Sequence, residues 1–138
     1  MADPRLARLR GVSLFSACTD KQLGFIATRV EEIDLPAGKV LCTRGQSGGD
    51  FFILLDGRVD VDAPQGKRSL GPGQFFGEIA LLDNGPRTAT VTTATPVRCL
   101  VLGPAQFQDV LYQNADLAVK MLHAVSQRLR AASPLPTD

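Results

Sequence analysis

Glu78 and Arg87 stand towards the two ends of the run Phe75-Phe76-Gly77-Glu78-Ile79-Ala80-Leu81-Leu82-Asp83-Asn84-Gly85-Pro86-Arg87-Thr88-Ala89-Thr90-Val91. It reads as a helical turn, a tight loop and a strand. A guanidinium offers a planar fork of N–H donors that matches two oxygens of a phosphate at once. A carboxylate is a strong acceptor for a sugar hydroxyl. Between them, the first N–H groups of a helical turn lack partners within the helix, and such an end attracts anions. Together these groups suit a ligand with one phosphate charge and a nearby hydroxyl.

Local chemistry must hold the two side chains apart. Gly77 permits close backbone approach and unusual dihedrals. Glu78 to Leu82 are good helix formers, enough for about a turn and a half. Asn84-Gly85-Pro86 stops that turn. Arg87 is expected to open a strand, since the Thr and Val residues after it suit a pleated sheet. Without ligand, Glu78 and Arg87 are expected to pair with each other or with water.

Phe76-Gly77-Glu78-Ile79-Ala80-Leu81-Leu82 followed by Pro86-Arg87-Thr88-Ala89-Thr90-Val91 resembles the phosphate-binding cassette of cyclic nucleotide-binding domains, including the interval from Glu to Arg. The resemblance covers residues 12 to 130. It implies an α+β, mainly β fold: an eight-stranded antiparallel β-roll, jelly-roll-like, with N-terminal helices and a C-terminal hinge and lid helix pair. It implies that Arg87 takes the phosphate oxygens and Glu78 the ribose hydroxyl. Backbone N–H groups of Gly77, Ile79 or Ala80, and Ala89 would complete a cradle that Phe76 adjoins. The ligand implied is cAMP or cGMP, with cAMP preferred by analogy with short bacterial-looking members. Thr88 could reach the phosphate or a syn guanine, or could be a strand residue chosen for β propensity, and it does not decide the base. Arg128 could stack on the purine by a cation–π contact, with Leu129 packing there too. The alternative for Arg128 is a solvated helix face.

Composition is consistent with this. The 138 residues suffice for one domain with a real core, and 44% apolar with 21% charged content marks a globular chain. A net charge of +1, from 15 basic and 14 acidic residues, gives no sign of a polyanion partner. Cys18, Cys42 and Cys99 are scattered and odd in number, so buried reduced thiols are expected rather than disulfides. No apolar run reaches the length of a membrane span, and no signal peptide is legible. A cytoplasmic setting is the default expectation.

Periodicity supplies the elements. Asp3-Pro4 can start a first helix with Leu6 and Leu9 on its buried side. Val12 to Ala17 reads as a connector. Thr19 and Gln22 have capping-box spacing, before a helix with Leu23, Ile26, Ala27 and Val30 on one side. The period then falls to two, in a β section over about residues 31–102. Strands are expected around Ile33–Leu35, Lys39–Arg44, Phe51–Leu55, Val59–Val61, Ser69–Leu70, Arg87–Ala94 and Val97–Leu102. A hairpin turn is placed over Ala63–Lys67. The loop Gly45-Gln46-Ser47-Gly48-Gly49-Asp50 lacks the Gly-Lys-Ser/Thr ending of a nucleotide P-loop. Phe51 to Leu55 are continuously apolar, as in a strand covered on both faces. C-terminal helices are expected over about 104–132, with Asn114 breaking them and Leu117, Met121, Leu122, Val125 and Leu129 forming an apolar stripe on the last. The whole chain, 1–138, is read as one cyclic nucleotide-binding domain.

Three other functions compete. A cupin-like metalloenzyme needs several His and carboxylate ligands, and the chain has one histidine, His123, on the last helix. A transcription factor needs a helix-turn-helix, for which the sequence leaves no room after that helix: if it is the whole chain, nucleic-acid binding is not expected, and if it is a fragment of a larger transcription regulator, channel or enzyme, the missing part could be a DNA-binding domain, a channel or a catalytic domain. A ligand-free interaction module would have no need of Glu78 and Arg87. The sequence thus points to a receptor without catalysis or metal. Its output would go through a protein effector in trans or an effector segment outside this sequence.

Overall fold

A computed structural model describes residues 4–16, 18–47, 49–78, 81 and 85–132. The expected Asp3 cap and the N–H groups of Ile79 and Ala80 lie outside the described residues. Helix α1 (Pro4–Arg10) leads through a 3-10 turn (Ser13–Phe15) to α2 (Asp20–Ala27). That turn falls within the expected connector. Thr19 and Gln22 close the capping box in both directions, at 3.2 and 2.8 Å, which fixes where α2 begins. Leu23, Ile26 and Ala27 are its buried side.

Eight strands follow: β1 (Glu31–Leu35), β2 (Val40–Cys42), β3 (Phe51–Asp56), β4 (Val59–Ala63), β5 (Gly66–Leu70), β6 (Phe75–Phe76), β7 (Thr90–Thr93) and β8 (Val97–Leu102). They form two four-stranded sheets, ordered β1-β8-β3-β6 and β2-β7-β4-β5, and every pairing is antiparallel. Helix α3 (Pro104–Gln113) and helix α4 (Ala115–Ala132) follow the β section. Asn114 between them is buried, and its side-chain amide donates to the Val110 carbonyl at 2.7 Å, tying the break to the helix before it.

Several sequence-based boundaries shift, and the two-residue strand β6 is not among those expected. β2 is shorter than Lys39–Arg44, because Arg44 already belongs to a turn beside Arg87. The β4–β5 hairpin is tighter than Ala63–Lys67: Ala63 pairs with Gly66, and the turn is Pro64-Gln65. The last cassette strand starts at Thr90 rather than Arg87. Arg87 spends its own N–H and C=O on the preceding loop instead, donating to Gln46 O at 2.8 Å and accepting from Gly45 N at 2.9 Å.

β3 explains its unbroken apolar run. Phe51 and Ile53 belong to a core shared with the helices, while Phe52 and Leu54 belong to a second core between the sheets. Successive side chains of a strand point to opposite faces, so a strand between two apolar layers needs no polar alternation. β4, covered on one side only, alternates buried Val59 and Val61 with exposed Asp60 and Asp62.

Candidate functional site

The site forms where β6 runs into the helical turn at Glu78. Gly77 links them at φ +97°, and a Cβ there would lie 2.6 Å from the Asp50 carbonyl oxygen and 2.9 Å from Arg87 Nη1. Only glycine fits such a place without displacement. Arg87 reaches back across this junction. Its Nη1 donates to the Gly77 carbonyl at 2.8 Å and its Nη2 to the Asp50 carbonyl at 2.7 Å. On the other flank is Gly49, at φ +102°, whose added Cβ would fall 2.2 Å from Nη2. Two glycines and two carbonyls therefore fix the guanidinium plane.

Arg87 is 6% exposed, and among the described residues no carboxylate lies within ion-pair distance of it. Among the described residues two of its five N–H donors are used, by neutral acceptors. A buried cation without a counter-charge is costly, and an anion bound beside it removes that cost. Glu78 is 3% exposed, and its Oε1 accepts from Arg128 Nη1 at 2.8 Å. Among the described residues its Oε2 has no hydrogen-bond partner, although it is buried. A single O–H donor would satisfy it. The site thus has free donors for an anion and an idle acceptor for a hydroxyl, which fits the chemistry of a sugar phosphate.

The expected pairing of Glu78 with Arg87 is not what forms. Glu78 pairs with Arg128, which arrives on α4 from fifty positions along the chain. Arg128 Nη2 also donates to the Phe75 carbonyl, and its guanidinium carbon lies 4.1 Å from the centre of the Phe75 ring. Arg128 is therefore not on a solvated face. Burial pulls its pKa down, opposed by the Glu78 charge. An arginine remains protonated in either case.

The other expected residues divide. Phe76 stacks on Phe52 at 4.8 Å in the inter-sheet core, so it supports the junction from beneath. Thr88 is exposed and Ala89 is half-buried, both just before β7. Leu129 is 67% exposed, so it does not extend the buried stripe of Leu117 and Met121. Sequence reasoning missed Phe75, which holds Arg128 through both ring and carbonyl, and Asp50, whose backbone oxygen anchors Arg87. The first could be sensed as an aromatic two residues before Gly77. The second is a main-chain contact with no signature in residue type.

Elsewhere, a cavity of about 800 Å³ lies near Arg8, Asp34, Asp56 and Arg98. Arg98 Nε donates to Asp34 at 2.9 Å, Arg8 pairs with Glu32, and Asp56 accepts from the Gly57 N–H at 2.9 Å. The hydrogen bond from Arg98 lowers the Asp34 pKa. Among the described residues, no three His, Cys, Asp or Glu side chains cluster to hold a metal, and no helix is long and apolar enough to cross a membrane.

The sequence matches the profile of the cyclic nucleotide-binding domain over residues 32–114. The chain belongs to that family. Residues of this domain align with a cyclic nucleotide-gated potassium channel of Rhizobium etli, 42% identical over 84 residues, covering 61% of this chain and 24% of the channel. A CRP-like cAMP-activated global transcriptional regulator of Mycobacterium tuberculosis is 27% identical over 134 residues, covering 93% of this chain and 58% of the regulator. Among solved structures, cAMP-bound PfPKA-R shares the fold, with a TM-score of 0.81 at 22% identity, covering 96% of this chain and 47% of that one. The chain spans from a quarter to little more than half of these relatives.

Proposed function

We propose that this cyclic nucleotide-binding domain is a sensor module that prefers cAMP to cGMP, with no catalysis of its own. Arg87 would take the cyclic phosphate, Glu78 Oε2 the ribose 2′-hydroxyl, and backbone N–H groups of Gly77, Ile79 or Ala80, and Ala89 the remaining oxygens. Thr88 would lie beside the phosphate. The observation that carries this reading is the buried, carboxylate-free guanidinium of Arg87 next to the unsatisfied Glu78 Oε2. The cAMP preference draws support from the cAMP-activated regulator and from the cAMP-bound structure of the same fold.

In this reading Arg128 orients Glu78 and caps the ribose side, its planar cation close to where a purine would lie. The α3–α4 pair is the moving part, closing better on the liganded site than on the free one. The output passes to a protein effector in trans or to a segment outside this sequence, from one cytoplasmic domain over 1–138.

Titration calorimetry of the wild type and Arg87→Ala with cAMP and cGMP tests the assignment. Charge-assisted hydrogen bonds contribute about 1.5–3 kcal/mol each, so loss of two costs roughly a hundredfold or more in affinity. The wild type is expected to bind cAMP more tightly than cGMP, and the variant to lose most of that affinity. A wild type that binds neither nucleotide overturns the reading. So does a variant that binds as well as its parent.

A further inference from the structure

In the turns before Arg128, helix α4 forms a groove of about 350 Å³ with the 3-10 turn and β6. Leu14 and Phe75, both buried, are its floor. Val119 and Ala124 line it from the helix. Val119 is 64% exposed, an apolar side chain left open beside the groove. The volume lies within the range of small-ligand sites, which are mostly apolar with a few polar groups to orient the occupant. Here Lys120 and His123 supply such groups, one turn apart on α4, and among the described residues no carboxylate lines the groove. Lys120 is half-buried, and its Nζ donates to Ser16 Oγ at 3.1 Å, which holds the ammonium beside the 3-10 turn.

We propose that this groove binds a small amphiphilic carboxylate, its apolar body on Leu14, Phe75 and Val119 and its charge at Lys120, and that an occupied groove favours the docked position of α4. Covering the apolar floor removes it from water. A lysine stem runs along apolar surface while its head stays at the edge, and there an ion pair is stronger than in open water. A neutral chain gains only the first of these contributions, and a cationic chain is repelled.

Phe75 joins the groove to the messenger niche. It floors the groove, and its ring and carbonyl hold Arg128. The groove and the Arg128–Glu78 pair therefore belong to one arrangement of α4. A ligand that binds only that arrangement shifts the population towards it. This coupling rests on the receptor reading above, whereas the groove itself does not.

Calorimetric titration of the full chain with octanoate, without nucleotide, tests the site. One-to-one binding is expected, with a dissociation constant between about 10 μM and about 1 mM. The same chain as 1-octanol or octyltrimethylammonium lacks the negative charge and is expected to bind at least about tenfold more weakly. Lys120→Met keeps an apolar stem without the cation. It is expected to weaken octanoate binding about tenfold with the melting temperature held, and Lys120→Arg to retain most of the affinity. Absence of octanoate binding overturns the proposal, as does equal binding of the uncharged chain or an unaffected Lys120→Met. With octanoate saturating, the dissociation constant for cAMP is expected to fall about fivefold. An unchanged or raised value overturns the coupling. A chain that binds octanoate but neither cyclic nucleotide would sink the receptor reading and leave the groove standing.

Discussion

At the scale of single residues, Glu78 carries the most exposed consequences. One oxygen is held by Arg128, and the other has no partner among the described residues. Removing Arg128 leaves a buried carboxylate alone, so Arg128→Ala is expected to destabilise the fold by about 2–4 kcal/mol, below the full buried-pair value because the arginine keeps some solvent contact. Urea unfolding measures it. Removing the carboxylate as well, as Glu78→Gln in the Arg128→Ala background, is expected to return part of that loss, and a strictly additive double variant would refute the pairing. The thiols give a second prediction. Burial raises the pKa of Cys18 and Cys42, and pushes that of Cys99 up to about 11 from 9.0. The native thiols should therefore alkylate slowly at neutral pH and quickly once unfolded. The sign for stability follows: the folded state holds the Cys99 proton more tightly than the unfolded one. That contribution is complete below pH 9 and is lost as pH rises towards 11. Denaturant midpoints across that window check it.

Elements were legible in the sequence where a local device sets them. The α2 capping box, the two-sided β3 and the one-sided β4 follow from spacing alone, because each is decided by neighbours within a few positions. The cassette was legible for the same reason: Gly77, Glu78 and Arg87 lie in one short run. What escaped is tertiary. The fifty-residue reach of Arg128 to Glu78, and the carbonyls that hold Arg87, depend on how strands and helices pack, not on local pattern. β7 begins late because Arg87 is bonded to the Gly45-Gln46 loop, a contact that residue type cannot foretell. At this scale the lid hypothesis is tested by hydrogen exchange over residues 105–132 with and without cAMP. Added nucleotide is expected to slow exchange there, while unchanged protection would discard the idea. In β3, Ile53 is wholly buried in the helical core, so Ile53→Ala should cost about 2–5 kcal/mol in urea unfolding.

For the whole molecule, two cores are stacked on one strand. The helical core and the inter-sheet core share β3, so they should lose structure together in a single transition. A ligand that binds only the folded state raises that transition. At a cAMP concentration about a hundred times its dissociation constant, the gain of about 2.7 kcal/mol should lift the melting temperature by roughly 10 °C. Differential scanning fluorimetry would show it, and an unmoved transition would count against the receptor.

Phe75 to Glu78 act as one short strap. Within these four consecutive residues, the Phe75 ring and carbonyl and the Glu78 carboxylate grip one arginine, while the Gly77 carbonyl grips another. In the proposed binding mode, a messenger held by the second arginine would tug the same short strap that tethers the terminal helix. A reporter dye on an exposed position of that helix, for instance Ser126, would then brighten or dim with the messenger level.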